Sequence, residues 1–153
     1  MSTPLVGTNI VTQIGIVVRD IEKSAQEFAD FFGVPKPRIG MTRPIEISET
    51  EYEGKSTPAQ AKQAFFTIGP NITIELLEPD QAPSTWRKHL DEKGEGVHHI
   101  AFDIKGMEDK IAKCTENGMP LVQRGKWPTG EYAYMDATAK LKVLIELLDY
   151  HDR

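Results

Sequence analysis

The spacing of hydrophobic residues alternates along the chain between strand-like and helix-like periods, and these changes predict its elements. Residues 11–18 are rich in β-branched side chains and predict a strand. Apolar residues then recur at helical spacing from Ile21 to Phe32, directly after Asp20, a favourable N-cap residue. Gly33 follows and predicts the end of this helix.

Three more strands are predicted after this helix, at residues 44–48, 63–68 and 72–77. The sequence Gly69-Pro70-Asn71 predicts the turn that joins the last two strands. Residues 40–61 contain many Ser, Thr, Pro and Glu residues, and we expect most of them to form an extended loop. This part of the chain is therefore predicted to be one βαβββ unit.

A second βαβββ unit follows in the same order. Its predicted segments are a strand at 98–104, a helix at 107–116, and strands near 121–124, 131–136 and 143–148. Between the units, Ser84 is predicted to cap a short helix over residues 85–92. We predict an α+β fold in a single domain spanning 1–153, built from a module at 11–79, a linker at 80–96 and a module at 97–150.

The two predicted units begin with the same segment. Residues 12–23 align without a gap on residues 98–109, at an offset of 99 − 13 = 86 positions. This alignment places Gln13 and His99 at equivalent positions of the two units.

The two units also end with the same segment. Residues 72–79 align on residues 143–150, at an offset of 146 − 75 = 71 positions, which makes Glu75 equivalent to Glu146. If a pseudo-two-fold axis relates the units, the two pairs of equivalent residues can meet at one point. Their amide, carboxylate and imidazole groups are all ligands of divalent metal ions.

Strand parity supports a shared site for these residues. Gln13 lies on the same strand face as the small residue Gly15, a combination more typical of a cavity wall than of a core. Glu75 and Glu146 each lie within an apolar run, where an unpaired carboxylate is costly. A cation bound between them would compensate both charges.

The repeated pattern resembles the vicinal oxygen chelate superfamily, over about residues 11–150. Members of this superfamily build two βαβββ modules into curved mixed sheets around a central metal site. Residues 75–79 (ELLEP), Ser84 and residues 94–102 (GEGVHHIAF) resemble methylmalonyl-CoA epimerases. Gln13 departs from those enzymes, which usually have His at this position, and residues 136–142 depart from their sequence before the last strand.

The potential ligand set is similar to that of glyoxalase I. The resemblance implies a divalent metal ion (Zn, Ni, Co or Mn) bound by Gln13, Glu75, His99 and Glu146. It also implies a metal-dependent lyase or isomerase that moves a proton α to a carbonyl of a small chelated substrate, with Glu146 and Glu75 as catalytic groups.

Two alternative functions are compatible with the same superfamily. The first is a ligand-binding protein of the bleomycin-resistance type, which sequesters its ligand without turnover. The second is an extradiol dioxygenase, but Gln13 and Glu75 depart from the iron site of two histidines and one carboxylate that such an enzyme requires.

Five residues are candidates for substrate binding: Arg43, Arg124, Trp127, Tyr132 and Tyr134. The two arginines can bind a carboxylate or phosphate through two parallel hydrogen bonds. The aromatic residues belong to residues 124–134, for which a hairpin with rim packing is an equally good interpretation. His98 is expected at a strand start or beside the metal ligands, and an exposed position is expected for His89, His151, Trp86, Arg87 and Lys88.

Charge and composition limit the classes of partner. A net charge of −5 provides no basic surface for nucleic acid or membranes, so we expect a small-molecule substrate. The sequence contains one cysteine, Cys114, which we interpret as a packing residue. It has neither a signal-peptide pattern nor an apolar run of membrane-spanning length, so we expect a cytoplasmic location. Related proteins commonly pair their curved sheets, so a homodimer is also expected.

Overall fold

A computed structural model of the protein describes residues 3–153. Ten strands form one sheet: β1 Gln13–Val17, β2 Gly40–Met41, β3 Glu51–Tyr52, β4 Lys55–Ser56, β5 Ala61–Ile68, β6 Ile72–Pro79, β7 Gly96–Asp103, β8 Leu121–Trp127, β9 Gly130–Met135 and β10 Leu144–Tyr150. The helices are α1 Ile21–Phe32, α2 Ile45–Ser48, α3 Thr85–Lys93, α4 Met107–Glu116 and α5 Thr138–Leu141. None of these helices is long and apolar enough to cross a membrane.

The sheet is mixed and strongly curled into a half-barrel, with the strand order β2-β5-β6-β1-β7-β10-β9-β8-β3-β4. Its centre is the antiparallel pair of β1 and β7. Each strand of this pair has a parallel neighbour on its outer side: β1 pairs in parallel with β6, and β7 pairs in parallel with β10. The predicted α+β fold with a curved mixed sheet is confirmed.

The registers of the central strands repeat between the two halves. The paired residues are Gln13–Ala101 and Gly15–His99 between β1 and β7, Gly15–Glu75 between β1 and β6, and Ala101–Glu146 between β7 and β10. The repeats make the first of these pairs equivalent to the second, and the third equivalent to the fourth. The pseudo-two-fold relation inferred from the repeats is therefore present in the backbone pairing.

The two longer helices each cover one half of the sheet. Helix α1 begins after Asp20, whose side chain accepts from the Lys23 amide, and it ends at Gly33 in the left-handed conformation. Ile21 and other apolar residues of α1 pack on β5 and β6. Helix α4 packs on β9 and β10 through a cluster that includes Met107 and buried Cys114. The helices thus occupy one face of the sheet, which leaves the opposite face of the central strands to form a site.

One predicted strand of the first module is wrong. The segment 44–48 is the short helix α2, and it begins directly after Pro44, a residue whose fixed φ suits a helix start. The expected loop over residues 40–61 also contains β2 and the hairpin of β3 and β4. Strand β3 pairs with β8 of the second half, so this insertion extends the far edge of the sheet.

The predicted exposure of the linker helix is wrong for Trp86. Its side chain is buried together with that of Leu90, four residues later on the same face of α3. Lys88 is exposed, and Arg87 forms a salt bridge with Asp91. Helix α3 therefore contributes an apolar face to the interior of the half-barrel.

Candidate metal centre

Four buried side chains from the four central strands converge on one point. Nε2 of His99 lies 2.8 Å from Oε1 of Gln13, 3.1 Å from Oε1 of Glu146 and 3.5 Å from Oε1 of Glu75. The ligand atoms of the two glutamates and the histidine all lie within 4.8 Å of one another. The structure thus brings together the four residues that the repeats single out.

The atoms that face this point are suited to a cation. Oε1 of Gln13 faces only acceptors, whereas a rotated amide would donate from its nitrogen to His99, Glu146 and Glu75 over 2.8, 2.9 and 3.2 Å. Without rotation, and once Nε2 of His99 carries no proton, two carboxylates, one amide oxygen and one imidazole nitrogen direct lone pairs at the same point. Divalent metal ions accept this donor set, so the residues fit such an ion.

Burial and mutual repulsion shift the titration of the site. Burial, followed by the charge of Glu146, raises the pKa of Glu75 to about 7, despite opposing contributions from His99 and Gln63. Burial alone lowers the pKa of His99, but the charge and hydrogen bond of Glu146, with the charge of Glu75, raise it above its ordinary value. The metal-free site therefore favours retention of a proton, which a bound cation would displace.

Two side chains that are not candidate ligands form hydrogen bonds with those that are. Nε2 of Gln63 on β5 donates to Oε2 of Glu75 over 2.7 Å, which directs Oε1 toward the site. Nδ1 of His98 lies 2.8 Å from Nδ1 of His99, and burial lowers the pKa of His98 well below its ordinary value. His98 is therefore a neutral, buried neighbour of His99. The sequence does not single out Gln63, because β5 also contains the polar residues Lys62 and Thr67.

A cavity of about 340 Å³ opens onto Gln13, Glu75 and Glu146. Six aromatic residues line it: Phe65, Trp86, Trp127, Tyr132, Tyr134 and Tyr150. Nε1 of Trp86 donates to the Tyr134 hydroxyl over 3.0 Å, which ties α3 to the cavity wall. The cavity is therefore polar at the candidate metal centre and aromatic around it, as small-molecule sites commonly are.

The candidate substrate residues separate into two groups. Arg43, Trp127, Tyr132 and Tyr134 line the cavity. Arg124 does not line it, because its guanidinium binds Glu108 of α4 and Glu131 of β9. The remaining histidines lie outside the cavity lining: His89 is half-buried, and exposed His151 contacts Glu131.

The fold is that of a known superfamily. The model of the Glyoxalase/Bleomycin resistance protein/Dioxygenase superfamily matches residues 12–135 of the chain. The protein therefore belongs to this superfamily, and the resemblance inferred from the repeats is confirmed.

Several solved structures share this fold. Methylmalonyl-CoA epimerase from Mycobacterium tuberculosis is 20% identical with a TM-score of 0.62, covering 98% of this chain and 92% of that chain. The hypothetical protein BH1468 from Bacillus halodurans C-125 is 27% identical with a TM-score of 0.63, covering 92% and 93%. A Streptomyces coelicolor methylmalonyl-CoA epimerase in complex with 2-nitronate-propionyl-CoA is 20% identical with a TM-score of 0.61, covering 92% and 96%. The likeness to the two epimerases concerns the fold alone.

One curated protein matches part of the chain. The uncharacterized protein YqjC of Bacillus subtilis (strain 168) is 34% identical over 61 residues. The matched segment is 40% of this chain and 43% of the relative, so the chain covers less than half of that protein's length.

Proposed function

We propose that the protein is a metal-dependent lyase or isomerase of the glyoxalase I or methylmalonyl-CoA epimerase type. Its reaction would move a proton at the carbon α to a carbonyl of a small substrate. The observation that carries this proposal is the convergence of the four candidate ligand side chains on one point beside an aromatic cavity, with the ligand atoms of the two glutamates and the histidine within 4.8 Å of one another.

In this proposal Gln13, Glu75, His99 and Glu146 hold one divalent ion, drawn from Zn, Ni, Co and Mn. When bound, the ion supplies Lewis acidity, which polarises a substrate carbonyl and makes its α-proton more acidic. The four residues come from adjacent central strands of one sheet, so the backbone positions them rigidly.

The chain's own carboxylates would move the proton. Glu146 and Glu75 come from opposite halves of the fold and lie on strands on either side of the central β1–β7 pair. We assign proton transfer on one substrate face to Glu146 and on the opposite face to Glu75. Both side chains are buried next to aromatic residues, so bulk water competes little for the proton.

The cavity wall would bind the rest of the substrate. Trp127, Tyr132 and Tyr134 provide flat surfaces on the cavity side of β8 and β9. Arg43 forms no salt bridge among residues 3–153 and lines the cavity, so its guanidinium is available for a substrate carboxylate or phosphate. Because Arg124 is already paired with two glutamates, we leave it out of the substrate site.

A second candidate is a binding protein of the bleomycin-resistance type. The six aromatic residues of the cavity favour it, because stacked rings can retain a flat ligand without any reaction. The two functions share the fold and the cavity, and they differ in whether a bound substrate exchanges its α-proton.

The deciding experiment is metal analysis of protein purified without chelator, followed by deuterium exchange from solvent into 2-oxo and acyl-thioester compounds. We expect about one divalent ion per chain and exchange at the α-carbon of at least one compound. His99→Ala is the matched control, and it should lose both the metal and the exchange. Bound metal without exchange on any compound would favour the binding protein, and protein without metal would contradict the proposed site.

A further inference from the structure

A chain of buried hydrogen bonds leads from His99 away from the candidate metal centre. Nδ1 of His99 lies 2.8 Å from Nδ1 of His98, and Nε2 of His98 lies 3.1 Å from Oγ1 of Thr85. The Thr85 amide in turn donates to Oε1 of Gln123 over 2.9 Å. Relative exposures along this chain are 0% for His99, 1% for His98, 7% for Thr85 and 1% for Gln123, so water cannot replace its members.

The geometry fixes which nitrogen carries each proton once a metal is bound. Nε2 of His99 faces the candidate site and must present a lone pair there, so its proton lies on Nδ1. That proton points at Nδ1 of His98, which must accept it. A neutral His98 then carries its own proton on Nε2 and donates it to Oγ1 of Thr85.

We propose that His98 is a positioning residue for the metal ligand His99. By accepting from Nδ1 of His99, it selects the tautomer and ring orientation that present Nε2 to the metal. This role rests on the proposed metal-dependent function, but the hydrogen bond between the two imidazoles exists independently of it.

A neutral acceptor suits the charge of this site. Ligand histidines often donate to a carboxylate or a backbone carbonyl. Here Glu75 and Glu146 already provide two negative charges, which balance one divalent ion. A third buried carboxylate would leave an uncompensated charge, whereas the imidazole of His98 orients His99 without adding one.

Helix α3 holds the end of the hydrogen-bond chain that lies farthest from His99. Thr85 is the first residue of this helix, and its backbone amide is held by Gln123 of β8. Nε2 of Gln123 donates to the hydroxyl of Tyr132, a residue of the cavity wall. Helix α3, which lies between the two repeats, therefore supports His99 through Thr85 and His98. Neither repeat contains this complete hydrogen-bond chain by itself.

Three variants test the role through zinc affinity, measured by calorimetric competition with a chelator. His98→Phe keeps a ring but removes the acceptor, and we expect zinc affinity to fall about 10- to 100-fold. His98→Gln restores a neutral acceptor and should recover most of this loss. His89→Phe is the matched control, because the His89 ring packs 5.5 Å from the His98 ring but lies outside the hydrogen-bond chain; it should bind zinc like the wild type. Unchanged zinc affinity in His98→Phe would overturn the role.

Nitrogen NMR tests the hydrogen bond without reference to activity. The chain has 4 histidines, so labelling of imidazole nitrogens gives an assignable spectrum. We expect a scalar coupling between the two Nδ1 atoms with and without zinc, and a proton on Nε2 of His98 in the zinc form. A missing coupling, or a proton on Nδ1 of His98 in the zinc form, would overturn the proposal even if a variant fails to fold. Wild-type protein that binds none of Zn, Ni, Co and Mn would instead overturn the metal-dependent function, and the positioning role with it, while the coupling still reports on the hydrogen bond.

Discussion

The imidazole of His99 lies directly against the backbone of Gly15 on the neighbouring strand. A Cβ atom at Gly15 would lie 2.0 Å from Cε1 of His99 and 2.4 Å from each ring nitrogen. Nonbonded heavy atoms do not approach so closely, so any side chain at this position displaces the ring. Gly15 is therefore required for space, because the His99 ring packs directly on the backbone where a side chain would otherwise lie.

Gly15→Ala should abolish the candidate metal site. The added methyl group forces the His99 ring away from Gln13 and Glu146, and overpacking of this kind costs about 1–3 kcal/mol of stability. Thermal unfolding and zinc titration measure the two effects. Ala101→Gly, at the equivalent position of the second repeat, removes a methyl group and should retain zinc binding. Zinc affinity at the wild-type level in Gly15→Ala would contradict the arrangement.

The repeats predicted the candidate site because its geometry follows from strand register. Once Gln13 and His99 occupy equivalent places on adjacent antiparallel strands, side-chain alternation directs both to the same face. Glu75 and Glu146 pair with Gly15 and Ala101 on the next strands outward, so the same alternation brings them to the same face. Local patterns and one symmetry relation were therefore sufficient for these four residues.

The sequence did not predict features that depend on contacts between the two halves. Strand β3 forms by pairing with β8, a partner about seventy positions away, so its own residues carry little signal. Arg124 has the chemistry of a substrate ligand, but Glu108 of α4 neutralises it on the other face of the sheet. Trp86 was detectable, because its spacing from Leu90 is that of one buried helix face.

Metal affinity should fall as the pH is lowered through about 7. Glu75 must lose its proton before it can bind a metal ion, and burial with the charge of Glu146 raises its pKa to about 7 from 4.5. Since this folded-state pKa lies above the unfolded value, the stability that Glu75 gives the metal-free protein is complete below pH 4.5 and is lost as the pH rises through about 7.

Because Glu75 must release its proton when it binds a metal ion, calorimetry in buffers of different ionisation enthalpy should detect proton release on metal binding. Affinity independent of pH across this range would contradict the prediction.

Arg43 should control the affinity for anionic substrates. Two cations line the cavity, Arg43 and Lys126, and Lys126 is bound to Glu49. Arg43→Gln removes the cation that has no carboxylate partner among residues 3–153 and leaves the candidate metal ligands untouched, so KM should rise by about tenfold or more while zinc affinity stays constant. Arg124→Gln is the matched control, because that arginine is bound to Glu108 and Glu131 outside the cavity. Equal effects of the two substitutions on KM would rule out this role for Arg43.

The protein should form a homodimer. Its curled sheet is open at both ends, and large apolar side chains such as Phe31, at 84% exposure, and Ile10, at 58%, face solvent in the single chain. Burial of such groups across a two-fold axis is the common solution among symmetric oligomers. Sedimentation at micromolar concentration should show twice the mass of the chain. A species of monomer mass alone would contradict this expectation.

Glu146→Gln and Glu75→Gln should separate the two proton-transfer steps. Glu146→Gln weakens metal binding, and when metal is supplied in excess it should still lose exchange of the substrate α-proton, because an amide can bind a metal but cannot accept a proton. The effect of Glu75→Gln depends on the reaction. In a glyoxalase-like enzyme the loss of activity should be milder than in Glu146→Gln, since one carboxylate carries the proton.

In an epimerase that uses two bases, Glu75→Gln should stop inversion at the α-carbon while exchange continues on one face, because each glutamate serves the face it reaches. Exchange and inversion must therefore be measured separately, by deuterium incorporation and by the chirality of the product. Retention of both exchange and inversion in metal-loaded Glu146→Gln would show that neither step uses this carboxylate. Loss of both in each variant, with metal content restored, would indicate that the two glutamates act as one unit and not as independent bases.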